Sequence, residues 1–311
     1  MNQLLTIANK EFKEAWKNRI FGIIAGLFVV FSALSVYIGA STKKAEMMAY
    51  NQTIELLKAA GTTAFPAMPQ IFPMAILQNN IVYVTMVGAL VAIFLGFDAI
   101  TKEKEHGNIK LILSRPVFRD QVITGKVLGG SMVLGSLQIL SLVFELLLLI
   151  LVGGFIPGPG EIIRLLIFTG ISFIYMMLFF IMAISISIFM RSSEIVFLTS
   201  ITTWIAITFV IPQLANTQRL FAYTTNAASQ SIVQIPQDTL VSQFIEVFSP
   251  AVHFEHIGKT LLQVIPETAT APITSLLGLL SVDLAFILLP LIVLLIIGYW
   301  GFLKIGVEDY A

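Results

Sequence analysis

The chain has 311 residues, 57% of them hydrophobic and only 12% charged, with a mean hydropathy of +0.91. Soluble domains carry about 25% charged residues, so this composition, with apolar runs long enough to cross a bilayer, excludes an ordinary soluble domain and marks a polytopic membrane protein. The formal net charge is zero, no cysteine is present for disulfides or thiol chemistry, and three scattered histidines make no obvious metal cluster.

Residues 1–19 are predicted to form an amphipathic helix. Leu4, Ile7, Ala8, Phe12, Ala15 and Trp16 recur at helical spacing, with Lys10, Lys13, Glu14 and Lys17 between them. Such a helix, ending near Arg19, suits a membrane interface. The apolar run that follows is longer than a signal h-region, so it is expected to remain as the first span, 20–38. Gly22 and Gly26 give that span a small-residue face.

Residues 41–80 form the first long polar connection. Lys43–Ala60 is helical in pattern, and the stretch to Pro73 carries one glycine and three prolines, the marks of a loop. Asn51-Gln52-Thr53 fits a glycosylation acceptor, a pattern too short to carry weight. The remaining spans are predicted at 81–97, 127–152, 162–189, 195–212 and 273–302. The third begins with Gly125, Gly129 and Gly130, and Pro212 closes the fifth. Residues 216–271 are a second long connection. Within it, Leu240, Val241, Phe244, Ile245 and Phe248 are helically spaced, and Ser249-Pro250 offers an N-cap with proline at N1 before a second short helix. Both helices are expected at the outer surface or over the bundle.

Six spans put both ends of the chain on one side. That side holds twelve Lys/Arg, at positions 10, 13, 17, 19, 102, 104, 110, 115, 119, 126, 191 and 304, and the other holds six. The positive-inside rule therefore assigns both termini to the cytoplasm of a multi-pass cell-membrane protein. An odd number of spans, with the last one broken at Pro290, is the alternative.

Between the second and third spans lies a charged island, 98–126, with 10 of the 36 charged side chains in 29 residues. Gly107 bends it, Ser114-Arg115-Pro116 turns it, and Ile109, Leu111, Ile112 and Leu113 form a short apolar segment between the two. This arrangement can set apolar side chains, rimmed by charge, into a groove on a partner. An ordinary solvated face is the plainer reading.

The island resembles the segment between the second and third spans of ABC-2 type transporter permeases. The matching residues are Asp98, Glu103, Glu105, Gly107, Leu111, Leu113, Ser114, Pro116, Val117, Arg119 and Lys126. Asn108 and Ile109 depart mildly from the family's usual threonine and leucine. The opening Glu11–Phe21 and the Ser249-Pro250 pair resemble the family too. The resemblance implies an all-α integral membrane protein with the six-helix fold of ABC-2 (type V exporter-like) permeases. It implies an elbow helix carrying Phe12, Trp16, Lys17 and Arg19, a cytosolic coupling helix in the island, and short outer helices between the fifth and sixth spans. It further implies an exporter subunit in membrane lipid, paired with a second permease copy, itself not catalytic. A cytosolic ABC ATPase subunit would hold ATP and Mg and dock at Glu103, Glu105, Gly107, Ile109, Leu111, Ile112, Ser114, Pro116 and Arg119. Glu103 and Glu105 would face its basic or polar groups. The chain carries no GxxxxGK[ST] run, so the ATPase is expected on another polypeptide.

Glu145 in the third span and Asp283, about ten residues into the last, are charges in costly places. Each either lines a pathway or locks packing. His253 and His256 with Glu255 are a weak metal signal without a third firm ligand. No nucleophile elbow, zincin pattern or basic nucleic-acid patch is present. The readings from other classes are an intramembrane enzyme using Glu145 or Asp283, and a membrane scaffold docking a cytosolic signalling protein.

Overall fold

A computed structural model of the chain describes residues 3–61, 65–66, 72–105, 118–190, 192–226 and 231–304. The amphipathic start forms α1 (Gln3–Lys17), and α2 (Arg19–Ala59) follows after Asn18. A 3₁₀ turn, Pro73–Leu77, leads into α3, which runs through Gln78–Tyr83, a π turn at Val84–Gly88 and Ala89–Glu105. Next come α4 (Arg119–Leu151), α5 (Pro159–Phe189) and α6, the last built from Ser193–Ile205, a π turn at Ala206–Val210 and Ile211–Thr217. A hairpin of β1 (Leu220–Asn226) and β2 (Ser231–Gln237) precedes α7 (Leu240–Glu246), α8 (Pro250–Leu261), α9 (Pro266–Ala269), α10 (Ile273–Leu279) and α11 (Ser281–Lys304). Among the described residues six helices are long and apolar enough to cross a membrane: α2, α3, α4, α5, α6 and α11.

Apolar all round, α5 is the centre of the bundle. Phe168, Tyr175, Phe179 and Phe180 are buried on its different faces. Lipid is as apolar as leucine, so close packing rather than water exclusion holds spans together. Gly130 of α4 shows this: a Cβ there would run into the Phe180 ring. α8 is drawn into the same core, its Phe254 stacked on Phe168 and Tyr175 with ring centroids 5.9 and 4.5 Å away. Facing outward are α2 with Ile23, Leu27, Val30 and Leu34, and α11 with Leu289, Ile292 and Ile296.

Several expected boundaries differ. The first span and the helical stretch after it are one helix of 41 residues, ~60 Å long at about 1.5 Å per residue, twice the ~30 Å hydrocarbon core. Lys43 and Lys44 end the apolar run, yet no helix breaker stands beside them. Pro212 does not close the fifth span, which continues to Thr217. The π turn just before it widens the helix, and the carbonyl of Ile207 is bonded instead by the Ser249 hydroxyl at 2.8 Å. Ser249 thus stands at the N-cap of α8 without capping it, although Pro250 is at N1 as expected. The last span starts at Ser281 rather than Ile273, and Pro290 lies inside the continuous α11. The two strands, paired antiparallel from Leu220↔Gln237 to Asn226↔Ser231, were not expected in the second connection.

Candidate functional site

α1, the ends of α3 and the start of α4 meet at one end of the bundle, where the charged island begins and finishes. Residues 106–117 lie outside the described part, so Gly107, Ile109, Leu111, Ile112, Ser114 and Pro116 do too. The flanks are described, and Lys126 is their centre. Its side chain is 2% exposed, 2.9 Å from Glu11 of α1 and 2.9 Å from Glu103 of α3. It also donates to the Ala99 carbonyl at 2.7 Å. An ammonium has three donors, and three acceptors surround it. Taking such a charge out of water costs several kcal/mol, about the scale two close carboxylates can offset. Gly125 and Gly129 make the site possible, because a Cβ at either would strike Ile7 or Glu11 of α1. Lys10 lies 4.0 Å from Glu103. The crevice beside them is a cavity of about 220 Å³, with Leu95, Val133 and Phe180 on its wall and Asp98 and Lys102 among its charges.

Other polar groups here tie down helix ends. The Lys104 ammonium donates to the carbonyls of Ser187 and, at 2.9 Å, Met190. These are C-terminal groups of α5, where a cation is favoured. Arg119 donates to the Leu303 carbonyl of α11 at 3.2 Å. Asn18 accepts from the Ile20 N–H at 3.0 Å as the N-cap of α2, and its amide donates to Asp98 at 3.3 Å. Asp98 in turn pairs with Lys102 at 2.6 Å. The two ends of the island are thereby joined to α1, α2, α5 and α11.

Glu103, anticipated to face a partner's basic groups, pairs with Lys126 and is 14% exposed. The Glu105 side chain lies outside the description. On α1, Phe12 and Trp16 make an edge-on ring contact at 6.5 Å, and Trp16 meets Phe21 at 6.0 Å. Lys17 and Arg19 are exposed. Lys126, Glu11, Asn18 and Lys104 were not singled out as site residues from sequence. The available signal was Lys126 itself, a cation next to a glycine stripe at the head of an apolar run.

Glu145 is buried between α2, α3 and α4. One carboxyl oxygen accepts from Ser32 at 2.5 Å, Asn80 at 2.7 Å and Ser141 at 2.9 Å. The Ser141 and Ser32 hydroxyl oxygens lie 2.6 Å apart. The cluster locks three spans together.

Asp283 is in the first turn of α11, not deep in the span. It bonds Nδ1 of His253 at 2.8 Å and Nδ1 of His256 at 2.7 Å, so the i,i+3 pair on α8 converges on one carboxylate. The bond from Asp283 holds the His256 imidazole above its usual range, against the opposing effects of burial and Lys259. Glu255 pairs with Lys259 at 2.6 Å. Among the described residues no group of three or more His, Cys, Asp or Glu is arranged to hold a metal ion.

The profile of the family described as "ABC-2 family transporter protein" matches residues 5–307. A protein of Pseudomonas aeruginosa, "Probable ABC transporter permease protein NosY", is 31% identical over 160 residues, 48% of this chain and 50% of that one. Its namesake in Stutzerimonas stutzeri is 29% identical over 134 residues, 43% of this chain and 41% of the relative. The matched stretches thus span half or less of the length of these relatives.

Proposed function

Since this chain belongs to the ABC-2 family of transporter proteins, we propose that it is the permease subunit of an ATP-driven transporter. A separate cytosolic ABC ATPase subunit binds ATP and Mg, docks on the island and moves it. The permease pairs with a second copy in the cell membrane, keeps both termini in the cytoplasm and exports its substrate. This chain itself catalyses no reaction.

The observation that carries the proposal is the buried Lys126 joined to Glu11 and Glu103. A push on the island reaches α3 and α4 through the backbone. Through Lys126 it also reaches α1, and through Lys104 and Arg119 the ends of α5 and α11. A loop that only needed solubility would not require its flanking charges to be committed inward. In this reading the contact residues are Gly107, Ile109, Leu111, Ile112, Ser114 and Pro116, and Glu103 transmits rather than touches. Glu145 is filled by its own protein donors, so no observation favours an intramembrane enzyme.

The test is co-expression with a candidate ABC ATPase subunit from the same organism. The two are expected to purify together, and the pair I109D and L111D to abolish this while the permease still elutes as one peak. Co-purification unaffected by the two aspartates would remove the docking assignment. ATP-independent activity of the chain alone would overturn the proposal as a whole.

A further inference from the structure

Arg164 is a second buried cation, and its surroundings differ from those of Lys126. It sits near the start of α5, at the end of the bundle opposite the island, and is 5% exposed. The guanidinium donates to the Thr260 carbonyl at 3.4 Å and to the Ala271 carbonyl at 2.6 Å. Those bonds use two of its five N–H donors. Among the described residues no carboxylate lies within 4.0 Å of it, whereas Lys126 has two at 2.9 Å. Glu161, three residues earlier, is turned back on its own helix and accepts from the Gly158 N–H at 2.7 Å. A buried charge met by carbonyl oxygens alone is incompletely compensated.

Arg164 borders a cavity of about 470 Å³ that opens to the protein surface. Gln263 lines it from the end of α8, at a left-handed position (φ 57°) where glycine more often closes a helix. The amide Nε2 of Gln263 donates to the Ala269 carbonyl at 3.0 Å, while its Oε1 is buried and receives no hydrogen bond. Phe72, Pro73, Pro159 and Ile273 give the cavity an apolar wall.

These groups describe one ligand. A planar guanidinium with donors to spare suits the oxygens of a phosphate. The Gln263 oxygen calls for a donor, and Glu161, also on the wall, favours a donor that is a cation. The cavity lies where the apolar segments of α3 and α5 begin, at the depth of lipid headgroups. Its apolar wall continues from Ile273 to Leu277, one turn further along α10 and half-exposed.

We propose that this cavity seats the headgroup of a phospholipid carrying a primary ammonium. The phosphate is bound by Arg164, the ammonium by Gln263 Oε1 and Glu161, and the acyl chains leave over Ile273 and Leu277. The site goes beyond the transporter proposal and does not depend on an ATPase.

The test uses the full chain, stripped of lipid in detergent, with bound lipid counted by native mass spectrometry. Phosphatidylethanolamine, phosphatidylcholine and diacylglycerol with identical chains are the probes. Phosphatidylethanolamine should bind about tenfold more tightly than diacylglycerol, the factor that one charge-assisted hydrogen bond supplies. It should also bind more tightly than phosphatidylcholine, whose methylated ammonium has no proton to donate. R164Q keeps amide donors for the Thr260 and Ala271 carbonyls, and is expected to melt like the parent and lose the tenfold preference. Equal binding of phosphatidylethanolamine and diacylglycerol by the unaltered protein overturns the proposal, whatever the variant does. A preference that survives in folded R164Q overturns the assignment to this cavity. Equal binding of the two phospholipids overturns the role of Gln263. Displacement of the lipid by an equimolar amount of water-soluble glycerophosphoethanolamine overturns the assignment to a lipid, because the headgroup then suffices.

Discussion

Lys126 and Glu11 are 115 positions apart in the chain and 2.9 Å apart in space. The pair fastens the N-terminal helix α1 to α4 inside the protein rather than on its surface. A surface pair would contribute little. This one is enclosed, so its value lies in what happens when one partner is lost.

Replacing Lys126 by Met takes the buried ammonium from between Glu11 and Glu103 and leaves only Lys10, 4.0 Å from Glu103, beside them. Removing one partner of a buried pair costs about 3–5 kcal/mol, and that is the expected loss in an unfolding titration in detergent. E11Q alone should cost less, because Glu103 still holds the ammonium. The triple variant K126M/E11Q/E103Q should recover part of the loss, since no charge is left uncompensated. A K126M protein as stable as the parent would show that water or a shifted α1 replaces the pair.

The two small-residue faces should behave differently. A Cβ at Gly129 would collide with Glu11 and the Ala8 carbonyl, whereas one at Gly22 or Gly26 meets nothing within 4 Å. G129V is therefore expected to destabilise by about 1–3 kcal/mol, the usual cost of overpacking, and to free α1 for protease cleavage. G22V and G26V should leave the stability of the isolated subunit unchanged. Equal cleavage of α1 in all three variants would contradict the packing of α1 on α4.

Glu145 is predicted to tolerate its amide and not its hydrocarbon replacement. In E145Q the carbonyl still accepts from Ser32, Asn80 or Ser141. In E145L the Asn80 amide loses its acceptor, a loss of about 1–3 kcal/mol per buried group left unpaired. Thermal melts of the two variants against the parent decide this. If E145Q melts as early as E145L, the cluster depends on the carboxyl group rather than on hydrogen bonding alone.

The sequence carries these features unevenly. Six spans are legible because a bilayer demands apolar runs, and α2 to α6 and α11 each contain one. The length of α2 is not, since Lys43 and Lys44 stop hydropathy without stopping a helix. The hairpin has a faint signal in the β-branched and aromatic residues of Leu220–Asn226 and Ser231–Gln237, outweighed by the expectation of a connecting loop. Ser249 looks like a cap because cap preference is local, while its bond to Ile207 arises only when α8 packs on α6. Lys126 shows as a charge but not as a hub, because its partners come from two distant segments. Tertiary pairing of this kind has no local signature.

The contact between α8 and α11 should weaken as pH rises. Asp283 holds His256 above its ordinary range, so the folded protein binds the imidazole proton more tightly than the unfolded chain. A histidine with a raised folded value contributes stability that is complete below its unfolded value of about 6.5 and lost as pH climbs through the folded one. His253 shares the carboxylate, Lys259 opposes the charge on His256, and Glu255 is held by Lys259. His256 is about half-exposed, so the effect is modest and screened by salt. The melting-temperature advantage of the parent over H256Q should thus be largest near pH ~5.5 and shrink towards pH ~8.5. D283N should remove the pH dependence of that difference. An advantage that grows with pH would mean that the neutral imidazole, not the imidazolium, is the form held by Asp283.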